Sequence, residues 1–264
     1  MSQEPNLSKF QLFCSFLSGD NRLENATNWS FSIIGKSSAV NMAYREVLEQ
    51  IPKSYAQMKE FEGKKLCGYE EFLKLTLKYE VFLSSIYGLF ENLSYVVHRL
   101  YRRNNLPPTF HKQKNRLLVD LSVDADYSAI LKDTGWYDEI RGMRDESTHF
   151  LSGLIIMAGL TQLGFGNIPT STRKDAIKKY RVDDIEKHIK QLYVDALTFL
   201  SLFGEHFVNI INQEAKIAIP CVSADDKQIG VRGISLKECL SGEKWTCLGG
   251  KDCIARSACD TKKI

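Results

Sequence analysis

The chain has 264 residues, 44% of them hydrophobic and 25% charged, with 35 basic against 32 acidic side chains and a formal net charge of +3. This is the ordinary globular mix, long enough for one core with additions or for two smaller ones. A charge so close to balance gives no general case for nucleic acid, which must instead come from local clustering.

The opening Met1-Ser-Gln-Glu-Pro-Asn6 has no basic region followed by an apolar run, so no secretory signal is expected. Every apolar stretch is broken by Lys, Glu, Asn or Gly before the roughly 20 residues that a membrane span needs. We therefore expect a soluble, cytoplasmic protein with no membrane partner. Seven cysteines, an odd number in a chain without a signal, read as reduced thiols rather than a disulfide framework.

In chain order, the pattern predicts a short helix from Leu7 to Leu17 with Phe10, Phe13, Cys14 and Leu17 inward. The alternation in residues 28–34 suggests a strand ended by Gly35. Val40, Tyr44, Val47, Leu48 and Ile51 recur at three and four, predicting a helix from Ser38 that stops at Pro52. A charged connector leads to the clearest element: Phe72, Leu75, Tyr79, Phe82, Ile86, Phe90, Leu93, Val97 and Leu100 keep helical spacing through more than seven turns. Asn104-Asn105-Leu106-Pro107-Pro108 ends it. Short helices are expected around residues 112–118 and 127–133, with an Asp-rich turn at 123–126 between them.

After Gly135 a helix is predicted with Trp136, Ile140, Met143, Phe150 and Leu154 on one stripe, interrupted by Ser147. Residues 154–158 and 163–167 suit a loop or small hairpin. A second long core helix follows, from Val182 through Ile185, Ile189, Leu192, Ala196, Phe199, Phe203 and Phe207 to Ile210. From residue 216 the chain turns β-leaning, with short strands expected at 216–219, 228–231 and 244–248. The expected division is an extension over 1–36, a helical domain over 37–213 and a small strand-bearing, partly disordered appendix over 214–264.

The helix after Gly135 carries the most chemistry. Arg141, Arg144, Asp145, Thr148 and His149 lie on the flank and back of its apolar stripe. A His titrates near neutral pH and an Arg fork holds a phosphate, so this flank presents a row of proton-transferring and phosphate-binding groups. Asp145, one turn before His149, suits orienting the imidazole.

Four or five helices, with Arg144, Asp145 and His149 matching a pattern of Arg, four to six residues, then His, commonly with a polar residue after the Arg, resemble the HEPN superfamily, the higher eukaryotes and prokaryotes nucleotide-binding domains. The run Ile86-Tyr-Gly-Leu-Phe-Glu-Asn-Leu-Ser-Tyr95 resembles the second helix of its stand-alone members. The resemblance spans residues 38 to 213. It implies a mainly α, HEPN-like bundle with two long antiparallel core helices. It also implies a metal-independent endoribonuclease acting as a homodimer, with Arg144, His149 and Asp145 catalytic and no cofactor. Thr148, Arg141, Glu91 and Asn92 take supporting roles, a toxin or defence setting goes with it, and a regulatory protein partner would restrain it. The alternative is a non-catalytic HEPN-like module that binds RNA, a nucleotide or a protein.

A second Arg/His pair, Arg181 and His188, fits the same loose pattern and ranks lower because His188 borders the packing seam. Around Pro107-Pro108, Arg99, Arg102, Arg103, Lys112, Lys114 and Arg116, with His98, His111, Tyr95, Tyr101 and Phe110 among them, have the make-up of an RNA-binding patch. The equally weighted reading is a solvated helix end. Cys221, Cys239, Cys247, Cys253 and Cys259 lack close pairs, so no metal is expected. No complete Walker-type Gly-x4-Gly-Lys-Ser/Thr loop, dinucleotide fingerprint or His-Glu-x-x-His occurs.

Overall fold

The computed structural model describes residues 5–61, 69–149, 153–157, 162–167, 181–222 and 229–241. It is mainly helical: α1 (Ser8–Leu17), α2 (Ala26–Phe61), α3 (Glu70–Leu100), α4 (Phe110–Val119), α5 (Ala125–Lys132), α6 (Gly135–His149), α7 (Ile185–Phe207) and α8 (Leu236–Ser241). Two antiparallel hairpins complete it, β1 (Gly153–Met157) with β2 (Leu163–Asn167), and β3 (Lys216–Val222) with β4 (Ile229–Ser235). Among the described residues no helix is long and apolar enough to cross a membrane.

The chain divides into two units. One comprises Met1–Ile34, Asn92–Leu131 and Leu197–Ile264, the other Gly35–Glu91 and Lys132–Ala196. Residues 36 and 37, where the sequence suggests a domain boundary, are consecutive residues of α2.

The first unit is built on aromatic side chains. On α1, Phe10, Phe13, Phe16 and Leu17 are buried, as the spacing requires. Phe13 meets Phe203 of α7 edge-on at 5.2 Å, and Phe203 stacks on Phe207 at 4.2 Å. Phe110 of α4 and Tyr127 of α5 close the cluster at 5.5 Å from Phe199 and 5.0 Å from Phe207. Gly204 makes this packing possible. A Cβ there would lie 2.3 Å from the backbone nitrogen of Phe10, so α1 crosses α7 where no side chain stands between them.

Asp124 caps α5 by accepting the Tyr127 N–H at 2.8 Å. The same carboxylate takes the Tyr101 hydroxyl, just past α3, and His206 Nε2 on α7 at 2.7 Å. At the end of the unit, Ser235 and Glu238 cap α8 reciprocally, a Ser-x-x-Glu box.

In the second unit α2 and α3 run antiparallel. Gln50 bonds Glu71, Lys78 reaches the Glu46 carbonyl, and Lys36 lies beside Gly88, so one number falls as the other rises. Thr76 of α3 accepts the Ile155 N–H at 3.0 Å, which fixes β1 on the helix. Phe165 of β2 packs against Tyr79 at 4.9 Å and covers Gly153, where a Cβ would lie 2.0 Å from its ring. Tyr193 of α7 stacks on Tyr44 at 3.7 Å and donates to Asn41 at 2.8 Å.

Three expectations are corrected. Residues 28–34 are helical, not a strand, because the buried positions Ala26, Ser30, Ile33 and Val40 follow helical spacing with a serine inside the series. The Ser30 hydroxyl is satisfied by the Cys14 carbonyl at 2.6 Å, while Phe31 is 69% exposed. Pro52 does not end α2. It lies on the exposed side, and Gln50 and Ser54 hold this part of the helix to the start of α3. On α6, Tyr137 joins Ile140 and Met143 in the core while Trp136 is half-buried, and Leu154 belongs to β1. The strand expected at 244–248 and the disorder expected at the C-terminus lie outside the described residues, as does Phe150.

Candidate functional site

Helix α6 packs on α3 through Tyr137, Ile140 and Met143, all fully buried, with the Tyr79 hydroxyl donating to the Met143 sulfur at 3.4 Å. Trp136 and Tyr137 meet Phe90 at 5.2 and 5.6 Å. This seam turns Arg141, Arg144 and Asp145 to the flank, where each is 31–39% exposed.

The three form one charged cluster. Arg144 Nη1 donates to Asp145 Oδ1 at 3.0 Å, and Arg141 Nε lies 3.7 Å from the other oxygen. The guanidinium carbon of Arg144 stands 4.6 Å from the ring centroid of Tyr87 on α3, a cation–π contact. Tyr87 stacks on Tyr137 at 6.0 Å with 11° between the rings, and Tyr137 donates to Glu91 at 2.6 Å. Burial raises the pKa of both tyrosines, with Glu91 reinforcing the shift. The array thus runs from Glu91 through Tyr137 and Tyr87 to Arg144, Asp145 and Arg141.

Of the residues that the sequence singles out, the structure brings together Glu91, Arg141, Arg144 and Asp145. Asp145 is engaged by the arginines. The side chains of Thr148 and His149 lie outside the described residues, although their backbone belongs to α6. Asn92 is half-buried and falls in the other unit. Sequence reasoning missed Tyr87 and Tyr137. The available signal was Tyr87 one turn before Glu91 on a helix whose apolar seam passes beside both.

The second Arg/His pair separates. Arg181 bonds Asp183 at 2.8 Å, while His188 meets Tyr79 at 6.2 Å with its Nε2 buried and without a hydrogen-bond partner among the described residues. Burial pushes the His188 pKa down to about 4, so the ring is neutral at pH 7.

The basic cluster belongs to the first unit, and the fold uses much of it. Arg99 lies over the Tyr95 ring at 5.1 Å, and Tyr95 stacks on Trp29 at 4.4 Å. Arg116 donates to the Asn105 and Asn104 carbonyls at 2.6 and 3.0 Å, and His98 engages the Leu106 carbonyl. Lys114 corrects the expectation of a phosphate contact. It is 7% exposed, on the α4 face that buries Phe110, Gln113 and Leu117. Arg102, Arg103 and Lys112 are exposed.

Among the described residues no group of His, Cys, Asp and Glu is arranged to hold a metal ion. Cys239 is half-buried in α8, and Cys247, Cys253 and Cys259 lie outside the described residues. No protein-family model, curated protein or solved structure matches this chain.

Proposed function

We propose that this chain is a metal-independent endoribonuclease of HEPN type that cleaves single-stranded RNA as a cytoplasmic homodimer, in a toxin or defence setting with a protein regulator. The observation that carries the reading is the Arg144 guanidinium, held on an accessible flank of α6 by the Tyr87 ring, with His149 at the end of the same helix. A phosphodiester is cleaved when its 2′-OH loses a proton and attacks phosphorus, expelling the 5′ oxygen, which takes up a proton. His149 supplies the proton transfers, and Arg144 balances charge developing on the phosphoryl oxygens.

Helical geometry supports the dimer. Arg144 and His149 are about 140° apart around α6 and about 7.5 Å apart along it, so they do not share one face. Two copies with α6 facing α6 would let the Arg of one meet the His of the other. Exposed Arg102, Arg103 and Lys112 add phosphate contacts elsewhere on the chain.

The non-catalytic reading has one observation in its favour, the engagement of Arg144 by Asp145. Cleavage of mixed end-labelled RNA in excess EDTA separates the two readings. The nuclease leaves 2′,3′-cyclic phosphate ends, and His149→Ala lowers the rate about 100-fold or more. Cleavage surviving both His149→Ala and Arg144→Ala overturns the site. RNA binding without cleavage in the wild type establishes the binding module.

A further inference from the structure

The α6 cluster has an unusual occupant. Two guanidinium groups, Arg141 and Arg144, converge on a single carboxylate from the same helix, one on each oxygen of Asp145. Tyr87 forms the floor under Arg144, and all three charged side chains are about one-third exposed. Arginine forks match carboxylate and phosphate oxygens alike, because both present paired acceptors of the same spacing. What Asp145 fills is therefore the shape and charge of a phosphate site.

We propose that Arg141, Arg144 and the Tyr87 ring form a phosphate seat that Asp145 occupies in the free protein, so that a nucleic-acid phosphate binds by displacing this carboxylate. The inference rests on the RNA reading of the same site and adds its regulation. Asp145 is an internal competitor rather than a residue that orients His149. Displacement is energetically accessible, because ion pairs this exposed are weak and water competes for both partners. The arrangement gives the seat a threshold: a single weak anion loses to a tethered carboxylate, whereas a polyanion with further contacts wins.

The test uses a fluorescein-labelled single-stranded DNA of mixed sequence, which lacks the 2′-OH and is bound without being cut, read by anisotropy. Asp145→Asn keeps the shape and removes the charge. It is expected to tighten binding about three- to tenfold and to steepen the logarithmic salt dependence by about 0.7, one additional phosphate contact on a single strand. Asp138→Asn, the same charge change on the exposed side of α6, controls for net charge and is expected to shift binding less than twofold. Placed on Arg144→Ala, Asp145→Asn is expected to lose most of its effect, since half of the seat is gone.

Where the oligonucleotide is bound, equal tightening by Asp138→Asn, or unchanged or weaker binding by Asp145→Asn, overturns the seat. A parallel titration with inorganic pyrophosphate separates this failure from that of the RNA reading. If the variant takes up pyrophosphate and not the oligonucleotide, the seat stands and the nucleic-acid assignment falls. If Asp145→Asn binds neither, the seat is overturned. Circular dichroism of each variant establishes that α6 and its packing are intact.

Discussion

Tyr87 lies under Arg144, with 4.6 Å from the guanidinium carbon to the ring centroid. A cation over an aromatic face at a partly exposed site contributes about 0.5–1 kcal/mol. Replacing the ring by Tyr87→Leu should therefore reduce RNA cleavage about two- to fivefold. The loss should fall mainly in kcat, since Arg144 acts on charge that develops during the reaction. Tyr87→Phe keeps the face and should stay close to wild type. Equal losses in both variants would assign the effect to the hydroxyl and remove the ring from the argument.

His188 and Asp124 predict two separate acid transitions. Burial lowers the His188 pKa from 6.5 to about 4, so between these values the unfolded chain binds the proton more readily than the folded one. Stability is complete above about pH 6.5 and declines towards pH 4, by on the order of 2 kcal/mol. His188→Leu should flatten this window in urea titrations while leaving stability at pH 7 equal or higher, because the buried Nε2 has no partner among the described residues to lose. RNA cleavage should persist in the same variant, and its loss would move the chemistry to the Arg181/His188 pair.

For Asp124, burial pushes the carboxyl pKa up, but hydrogen bonds from His206 and Tyr101 outweigh this and hold it below 3.8. A depressed carboxyl contributes stability that is present above the unfolded value and lost as pH falls through the folded one. Asp124→Asn should flatten the dependence below about pH 4 and leave the upper window unchanged. At neutral pH it should cost about 1–3 kcal/mol in urea denaturation. A variant as stable as wild type at pH 7 would mean that the three bonds contribute nothing net.

Two glycines in helices should respond in opposite directions to alanine. At Gly204 the added methyl would meet the Phe10 backbone, which cannot move without shifting α1, and a loss of about 2 kcal/mol or more is expected. At Gly35 no atom of the described residues would lie within 4 Å of the added Cβ, so alanine should stabilise α2 by up to about 1 kcal/mol. Denaturation midpoints of the two variants check both signs.

The sequence foretold α1, α3 and α7 because their buried positions carry apolar side chains at an unbroken spacing, while the residues of β1 and β2 suit a loop or a small hairpin. It misled over residues 28–34, where a buried position is serine and an exposed one is phenylalanine, so the visible alternation was of the wrong residues. It also overvalued Pro52, whose local cost is offset by contacts between α2 and α3 that no window of sequence contains. At the site, the polar flank of α6 followed from helical periodicity, whereas Tyr87 beneath Arg144 required knowing how α3 and α6 pack. Lys114 resembled its basic neighbours and differs from them only in the direction it faces.

The crossing of α1 over α7 at Gly204 also sets a schedule. Asn6, just before α1, bonds Ser201 across 195 residues of sequence. At a synthesis rate of about 5–20 residues per second, α1 waits roughly 10–40 s for the surface that will cover it. During that interval Phe10 and Phe13 lack the α7 rings that cover them, and a helix made well before α7 is sheltered only after it.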